Sequence, residues 1–498
     1  MKKVPSTFFP VISVDRKAPK PLHRQIYDSF REMIVGRALS PGQQIPSSRA
    51  LAAELRISRI PVLTAYSQLL AEGYFESRAG SGTYVCSTLP DQPTLRPASS
   101  AGSTTPMNLN SGVRSISRRA SLLPRYETFP WFRGMGAFSV SQPAFDHFPF
   151  QIWSRIVMRH CRNPHASQLQ YGSPQGFEPL REAICAYLRT ARAVRCEPRQ
   201  VMIVTGSQQA LEIATRALLD SGSSAWVEEP GYWLTAQVLT AAGCRLVSVP
   251  VDEEGLDVQA GIALSRKARA AFVAPSHQYP LGATMSASRR LQLLDWAQRS
   301  GSWIIEDDYD SEYRYGSMPI ASLQGLDHGS RVVYIGTFSK ILFPSLRLGY
   351  VVLPHDLVNC FSSVRYAMDI GPPHFFQAVL TDFMKEGHFA RHIRRMRQLY
   401  SQRRAVLVES LSNEFGGSLE IVGSEAGMYL TLFLPKGYSD HELAVRAARD
   451  RFWLFPLSPA YLGKKKRQGL VLGFGSTSVE EIPRAVRRLK NLMAAARV

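Results

Sequence analysis

The chain has 498 residues, which predicts two or three domains. Its composition, 45% hydrophobic and 20% charged, is too apolar for a disordered protein, and no stretch approaches the roughly 20 apolar residues of a membrane helix. Pro5, Pro10 and Asp15 interrupt the N-terminus and no small-residue cleavage site follows, so we expect no signal peptide. The six scattered cysteines form no C-x-x-C pair, which indicates reduced cytoplasmic thiols and argues against a zinc site or disulfide framework.

The net charge of +19 is densest near the N-terminus. Residues 1–86 contain twelve Lys and Arg against six Asp and Glu, and residues 87–125 contain five against one. A basic module favours a polyanionic partner, most simply nucleic acid, although charge alone fits a solubilising excess equally well. The order of elements in the first segment decides between these two interpretations.

That segment is predicted to contain three short helices and a hairpin. Residues 22–35 place apolar side chains on one helical face, and residues 40–42, SPG, break the chain. A serine at residues 47–48 begins a second helix that reaches residue 55, and a third helix ends at Gly73. The third helix is predicted to bury five apolar side chains: Val62, Leu63, Tyr66, Leu69 and Leu70. Two helices joined by a tight turn, followed by a basic hairpin at residues 74–85, are typical of a module that reads duplex DNA in the major groove.

This segment resembles the GntR-type winged helix over nearly all of residues 20–86. The matching blocks are PLHRQIYDSFREMIVGRALSPGQQIPSSRALAAEL, SR-x-x-V-x-x-AY-x-x-L-x-x-EGY and ESRAGSGTYV. The resemblance implies DNA contact by residues of the helices and of the wing: Arg49, Ser58, Arg59, Thr64, Arg78 and Gly82. Ile60-Pro61 departs from the polar pair usual in the family, so the operator sequence is not transferred. For Arg78, DNA contact and an ordinary solvated side chain stay equally open.

A linker and a large α/β domain are predicted next. Residues 87–125 are rich in Pro and Ser and include arginines at 114, 118, 119 and 125, which indicates a flexible or partly extended tether that is mainly solvated, with DNA contact by these arginines as the alternative. In residues 126–498 helical segments alternate with short apolar runs: QVMIVTG, SAWVEEP, CRLVSVPV, AAFVAP, SWIIEDDYD, RVVYIGTFS and LGYVVLP. This spacing predicts a mostly parallel sheet with crossover helices, whose functional site lies at the carboxyl ends of the strands.

Polar clusters follow the predicted strands. The turn TGSQQAL leads into a helix, where backbone amides and Ser207 offer either an anion site or an ordinary N-cap. Tyr232, after EEPG, offers an aromatic face or simple packing. The acids of EDDYD end the SWII strand; no histidine lies near them, so no metal site is expected, and Asp308 and Asp310 fit exposed strand-end acids.

The loop after the strand RVVYIG reads TFSKILFPSLRLGY and carries the strongest chemical signal. Hydroxyl groups of Thr337 and Ser339 and the guanidinium of Arg347 suit a phosphate. Lys340 among them, when partly desolvated, suits nucleophilic attack on an aldehyde. A solvent-exposed lysine at a strand end is the alternative for an isolated Ser-Lys pair.

Together these clusters resemble fold-type I pyridoxal-phosphate (PLP) aminotransferases over about residues 140–490. The resemblance implies an internal aldimine (Schiff base) at Lys340, an Asp307 partner for the pyridine nitrogen, and a hydrogen bond from Tyr309 to the ring hydroxyl. The other implied cofactor contacts stack on the ring, hold the phosphate or lie beside the ring: Tyr232, Ser207, Gln208, Thr337, Ser339, Arg347 and His277. Tyr171, in YGSPQG, is implied to reach the phosphate of the partner subunit.

A winged helix joined to an aminotransferase-like domain resembles the MocR subfamily of GntR-type bacterial regulators. The predicted fold is a winged helix-turn-helix (α+β) at residues 15–86, plus an α/β fold-type I PLP-dependent transferase-like domain at residues 126–498 with a smaller α+β C-terminal subdomain. The resemblance implies a cytoplasmic homodimer, in some members with head-to-tail swapped DNA-binding domains, that binds a DNA operator. It further implies sensing of PLP or an amino compound through aldimine chemistry at Lys340.

Two other functions are kept as alternatives, a DNA-tethered PLP-dependent aminotransferase with genuine turnover and a repressor whose large domain only dimerises. Weak or vestigial turnover is expected, because Tyr279 stands before Pro280 where many aminotransferases have asparagine. Arg467, the arginine of KKKRQGLVLGFGSTS, is predicted to lie in a solvated basic loop rather than to bind an effector carboxylate. The effector (PLP, γ-aminobutyrate, taurine or D-alanine) and the choice between activation and repression stay open.

Overall fold

The structure is a computed structural model that describes residues 12–78, 80–88, 116–124, 129–132, 134–315, 321–464 and 466–496. The chain divides into two compact units, Met1–Gly112 and Val113–Val498. The division falls inside the predicted linker, residues 87–125, of which residues 89–115 and 125 lie outside the described residues. No helix of the described residues is long and apolar enough to cross a lipid bilayer.

The first unit has three helices and a small antiparallel sheet. The helices are α1 (Leu22–Val35), α2 (Ser48–Glu54) and α3 (Arg59–Ala71). The strands are β1 (Gln44–Ile45), β2 (Phe75–Arg78) and β3 (Gly82–Val85), in the order β1-β3-β2. Ser47 caps α2 by accepting a hydrogen bond from the Ala50 amide, as predicted from its position. Strand β1 extends the predicted hairpin to three strands and was not predicted.

Aromatic side chains form the centre of this unit. Phe30, Tyr66 and Phe75 pack edge to face with ring centroids 5.3–5.6 Å apart. The prediction that Leu63 and Leu70 face inward is wrong, since they are 41% and 37% exposed. The buried face of α3 follows the three- and four-residue helical spacing through Val62, Ala65, Tyr66 and Leu69. Leu63 and Leu70 are displaced by one residue from that stripe and therefore lie on another face.

The second unit is built around a large sheet. Its strands are β4 (Val201–Val204), β5 (Ser224–Glu229), β6 (Arg245–Asp252), β7 (Gly255–Leu256), β8 (Ala270–Val273), β9 (Trp303–Asp308), β10 (Val332–Thr337) and β11 (Gly349–Val352). The helices up to β11 are α4 (Arg118–Ser121), α5 (Phe150–Arg162), α6 (Ala166–Leu169), α7 (Glu178–Ala191), α8 (Ser207–Leu218), α9 (Trp233–Ala242), α10 (Val258–Ser265), α11 (Ala287–Ser300) and α12 (Leu323–Leu326). All seven predicted strands are therefore present.

The strand order is β4-β11-β10-β9-β8-β5-β6-β7. Neighbours are parallel from β10 through β9, β8 and β5 to β6, whereas β11 is antiparallel to both β10 and β4, and β7 is antiparallel to β6. The sheet is thus mixed although most strands share one direction. Strand β11 is reversed because residues 338–348 connect it to its neighbour β10 without a crossover helix. This return loop is the stretch that carries Lys340 and Arg347.

A smaller subdomain completes the chain. Its sheet has the order β12-β13-β15-β14, all antiparallel, with strands β12 (Ile421–Val422), β13 (Tyr429–Phe433), β14 (Phe455–Pro456) and β15 (Gly469–Gly473). The remaining helices are α13 (Val358–Asp369), α14 (Phe375–Lys385), α15 (His388–Phe415), α16 (Asp440–Arg449) and α17 (Ile482–Ala496). This α+β layer has its own core and agrees with the predicted C-terminal subdomain.

The described end of the predicted linker is folded onto the second unit. Helix α4 packs against α9, and the Arg119 guanidinium donates a hydrogen bond to the Ser221 hydroxyl at 3.0 Å. Ser117 caps α4 by accepting from the Ala120 amide. The last part of the linker therefore belongs structurally to the large unit.

Candidate cofactor site and DNA-binding surface

A cavity of about 440 Å³ opens at the carboxyl ends of the parallel strands. Because β4, β5, β8, β9 and β10 run in the same direction, the loops that follow them meet at one edge of the sheet. Nine predicted cofactor residues line this cavity: Ser207, Gln208, Tyr232, Asp307, Tyr309, Thr337, Ser339, Lys340 and Arg347. The structure thus brings together residues that are up to 140 positions apart in the chain.

Lys340 lies in the return loop just after β10. Its amine donates a hydrogen bond to the Ser141 carbonyl at 3.4 Å. Burial lowers the pKa of the Lys340 amine to about 8, while Asp310 and Asp307 oppose the fall and Arg347 adds to it. A larger fraction of the amine is consequently neutral at physiological pH, which is the form that attacks an aldehyde.

Asp307 is at the end of β9, next to strand β10, which leads into the return loop with Lys340. Burial, followed by the charge of Asp308, raises the pKa of the Asp307 carboxyl to about 7, and Lys340 opposes the rise. Its Oδ1 atom is buried and has no hydrogen-bond partner among the described residues. A buried acceptor of this kind is costly unless a donor meets it, so the site is suited to a ligand with an N–H group at that point.

Two tyrosines enclose the same space. Tyr232 precedes α9 and packs edge to face against Tyr279 at 5.7 Å. The Tyr309 hydroxyl donates to the His277 carbonyl at 2.8 Å and lies 2.8 Å from the Tyr429 hydroxyl. Burial raises the pKa of both cavity tyrosines, Tyr232 and Tyr309, so their hydroxyls stay protonated and able to donate.

A candidate anion site lies where α8 begins, at the wall of the same cavity. The first residue before the helix is Gly206, with φ of 96°, and no side chain caps the free amides. A Cβ at Gly206 would lie 3.3 Å from a guanidinium nitrogen of Arg347, so glycine lets the arginine approach the helix start. The Gln208 Oε1 atom is buried without a partner among the described residues. Helix amides, a guanidinium and nearby hydroxyls together suit a phosphate.

The predicted DNA-contact residues are all exposed in the first unit: Arg49, Ser58, Arg59, Thr64, Arg78 and Gly82. Arg59 begins α3 and its Nε donates to the Ser48 hydroxyl at 3.1 Å. The Ser58 side chain does not cap α3 and is available to a ligand. Arg78 differs, since it donates two hydrogen bonds to Glu76 and covers the Tyr84 ring at 4.4 Å.

Comparisons with known proteins agree with both parts of this description. Residues 22–85 match the bacterial regulatory proteins, gntR family, and residues 137–488 match aminotransferase class I and II. The chain is 39% identical over 489 residues to the probable rhizopine catabolism regulatory protein MocR of Rhizobium meliloti, covering 97% of this chain and 96% of that protein. The chain belongs to the MocR subfamily of GntR-type regulators. The uncharacterized HTH-type transcriptional regulator YhdI of Bacillus subtilis is also similar, at 32% identity over 97% of each chain.

The large unit of this MocR-type chain has the fold of PLP-binding aminotransferases. One solved structure, alpha-aminoadipate aminotransferase of Thermus thermophilus complexed with N-(5'-phosphopyridoxyl)-L-leucine, matches with a TM-score of 0.70 and 28% identity. That match covers 76% of this chain and 98% of the aminotransferase. The cavity of the MocR-type chain has complementary groups for an aldehyde, a ring nitrogen, a ring hydroxyl and a phosphate, which are the features of PLP.

Two predicted cofactor residues do not line the cavity. His277 is buried behind Tyr309, and its Nδ1 lies 3.0 Å from both carboxylate oxygens of Asp310. Tyr171 is 88% exposed and away from the cavity of its own chain. Its implied contact with a partner subunit stays a prediction. Arg467 lies on the surface as predicted, where it donates to Glu420.

The interpretation of Asp308 and Asp310 as exposed acids is wrong, since both are buried. Asp308 accepts a hydrogen bond from Arg192 Nε at 2.8 Å and from the Tyr334 hydroxyl at 2.5 Å. Asp310 is paired with His277 as described above. Their partners come from distant parts of the chain, so the local sequence gave no sign that these acids would be enclosed.

Sequence reasoning also missed several residues of the cavity wall. They come from residues 131–142 and from the start of α9 and β14: Trp131, Ser141, Trp233 and Phe455. Glu228 lines the cavity as well, and burial raises the pKa of its carboxyl to about 8. Tyr279 and Glu228 lie at strand ends beside the predicted motifs, and this position could have identified them as cavity residues. Trp131 and Phe455 have no such signal, because they reach the site only through the fold.

Proposed function

We propose that the chain is a PLP-dependent transcriptional regulator that binds an operator through its winged helix and senses PLP or an amino compound at Lys340. The observation that carries the proposal is the buried, unpartnered oxygen of Asp307, a residue that lines the same cavity as Lys340 and the open start of α8. These groups are joined in one chain to a unit whose exposed face presents Arg49 and Arg59.

In this proposal each cavity residue has one task toward the cofactor. When bound, PLP supplies an aldehyde that condenses with an amine and a ring that withdraws electrons. Lys340 provides the amine, Asp307 holds the ring nitrogen, Tyr309 hydrogen-bonds the ring hydroxyl and Tyr232 covers the ring. The phosphate is held by the start of α8 and the return loop: Ser207, Gln208, Thr337, Ser339 and Arg347.

Sensing follows from exchange of one amine for another at this site. An amino compound that replaces Lys340 removes a covalent tie and changes the charge and packing of the return loop. Such a ligand regulates DNA binding only if it has different affinities for two conformations of the protein. The proposal includes a cytoplasmic homodimer in which Tyr171 contacts the phosphate in the partner subunit, as implied for this family.

Removal of the Lys340 amine tests the proposal. Borohydride reduction of the PLP-loaded protein should fix the cofactor on the peptide that contains Lys340, as measured by mass spectrometry. A duplex containing the DNA upstream of the gene should bind wild type with an affinity that PLP or an effector changes about 5- to 150-fold. Lys340→Ala should abolish that change, whereas Lys385→Ala, at an exposed lysine of α14, should retain it. If the wild-type protein binds this DNA with the same affinity in the presence and absence of PLP and effector, the sensor role is refuted.

The aminotransferase alternative is supported by the presence of both Lys340 and Asp307 in the cavity. It predicts multiple turnover of an amino donor with a keto acid, lost in Lys340→Ala. Measuring that rate beside the DNA affinity separates the two functions, because vigorous turnover with cofactor-independent DNA binding would favour the enzyme. A protein that gives no borohydride adduct would instead favour the dimerisation scaffold.

A further inference from the structure

A second pocket, here called the side pocket, adjoins the cofactor cavity. It has a volume of about 250 Å³ and lies between residues 122–124, the body of α9, Leu246 of β6 and residues 455–462. Apolar cavities of about 150 Å³ in other proteins bind benzene. The side pocket therefore has room for an apolar group of five or six carbon atoms.

The two spaces are adjacent because they share their wall. Trp131, Trp233, Tyr279 and Phe455 line both the side pocket and the cofactor cavity. Lys340 lines the cofactor cavity but not the side pocket. These four aromatic residues therefore form the boundary between the Lys340 site and the side pocket.

The side pocket is chemically distinct from the cofactor cavity. Its lining is aliphatic and aromatic, and among the described residues no charged side chain takes part. Besides the rings of Trp131, Trp233 and Tyr279, its polar side chains are Gln237 and Thr240, and the Thr240 hydroxyl already donates to the Ala236 carbonyl at 2.8 Å. A carboxylate or ammonium placed here would meet no opposite charge among the described residues, and part of its hydration would be replaced by apolar side chains. The pocket consequently favours an uncharged apolar group.

One wall of the side pocket is the end of the linker. Leu122 and Leu123 follow α4 directly and are 60% and 37% exposed. Exposed apolar side chains beside an apolar pocket become covered when the pocket is filled. A ligand in the side pocket would thus contact the segment that leads toward the DNA-binding unit.

We propose that the side pocket receives the apolar tail of the effector, so that the effector is a primary amine with an uncharged apolar substituent and stabilises the docked linker segment. This inference rests on the proposed function, because the amine end is taken to react at the site of Lys340. It names a ligand class that differs from short amino acids, whose carboxylates would need a positive charge.

The test uses the dialysed PLP-loaded protein and four amines of similar basicity: propylamine, hexylamine, 6-aminohexanoate and 1,6-diaminohexane. Binding is followed by cofactor absorbance and by tryptophan fluorescence. Each added methylene group buried in the pocket should tighten binding about fourfold. Hexylamine should therefore bind far more tightly than propylamine, while 6-aminohexanoate should lose most of that gain.

A charge in the pocket wall gives a second, independent readout. Leu462 is 43% exposed and lines the side pocket but not the cofactor cavity. Leu462→Asp should weaken hexylamine and strengthen 1,6-diaminohexane, because the new carboxylate meets the distal ammonium. Leu291→Asp, at a leucine of α11 that is 61% exposed, should keep the wild-type order of affinities.

The outcomes separate the inference from the proposed function. If all four amines change the absorbance with similar affinity, amine exchange occurs and the side-pocket proposal is overturned. If 6-aminohexanoate binds as tightly as hexylamine, the proposal is likewise overturned. If no amine changes the absorbance, the proposed amine exchange itself fails, and the inference fails with it.

Discussion

The lowered pKa of Lys340 makes a quantitative prediction about cofactor capture. At pH 7 a lysine with its ordinary pKa of 10.5 has about 0.03% of its amine neutral, whereas a pKa of about 8 leaves roughly a tenth neutral, about 300-fold more. The neutral amine is the nucleophile. The rate at which cofactor-free protein captures PLP should therefore rise with pH to a midpoint near 8.

Asp310→Asn tests the electrostatic cause of that midpoint. Asp310 is the leading group that opposes the fall in the pKa of Lys340. Removal of its negative charge should lower the pKa of Lys340 further and so move the midpoint below 8. Capture of PLP at pH 7 should then be faster than in the wild type. Asparagine keeps the shape of the side chain beside His277. Asp295→Asn, in a surface pair with Arg299, is the matched control and should leave the midpoint unchanged.

Stopped-flow absorbance between pH 6 and pH 10 measures the capture rate. Ionisation of the PLP phosphate, with a pKa of about 6 for such groups, affects all variants equally, so the difference between midpoints is the relevant quantity. A wild-type midpoint near 10.5 would show that the amine is not desolvated. A midpoint of Asp310→Asn that is unchanged or more alkaline than wild type would refute the assigned effect of Asp310.

Three further substitutions have distinct expected outcomes. Asp308→Asn should lower the free energy of unfolding of the large unit by about 3–5 kcal/mol, because it removes the carboxylate that pairs with the buried Arg192 guanidinium. Tryptophan fluorescence in urea reports on this unit alone, since all seven tryptophans follow residue 112. Arg59→Ala should weaken operator binding and reduce the slope of log affinity against log salt by about 1, measured by anisotropy at several salt concentrations. Arg78→Ala should change the same slope by less, since Glu76 already neutralises this arginine; an equal change in both variants would contradict this assignment.

The elements of the first unit could be predicted because their signals are local. The caps, the breaks and the apolar spacing within each helix lie inside a few residues of sequence, and the structure has α1 at residues 22–35 as expected. The inward placement of Leu63 failed because helical spacing alone fits more than one stripe. Packing with Phe30 and Phe75 selects the stripe that contains Tyr66.

The cofactor residues could be predicted for a different reason. Parallel strands end at one edge of the sheet, so polar residues after each strand converge even when the helices between them are unknown. Asp307 and Lys340 illustrate this, because Asp307 lies at the end of β9 and Lys340 follows the neighbouring strand β10. The same rule cannot tell which strand-end acids will be enclosed. Asp308 is neutralised by Arg192, 116 residues earlier in the chain, and only the folded structure brings the two together.

Helix α9 lies beside the cofactor cavity, the side pocket and the described end of the linker. Tyr232 and Trp233 at its start line the cofactor cavity, while Thr240 near its end lines the side pocket beside the linker segment. Helix α4 packs against the same helix, so α9 contacts both the cofactor cavity and the described end of the linker. Coupling by this route is reciprocal, since an effector that alters operator affinity must have its own affinity altered by the operator to the same extent. Under the proposed function, α9 is therefore the element through which a change at the cofactor cavity would reach the linker.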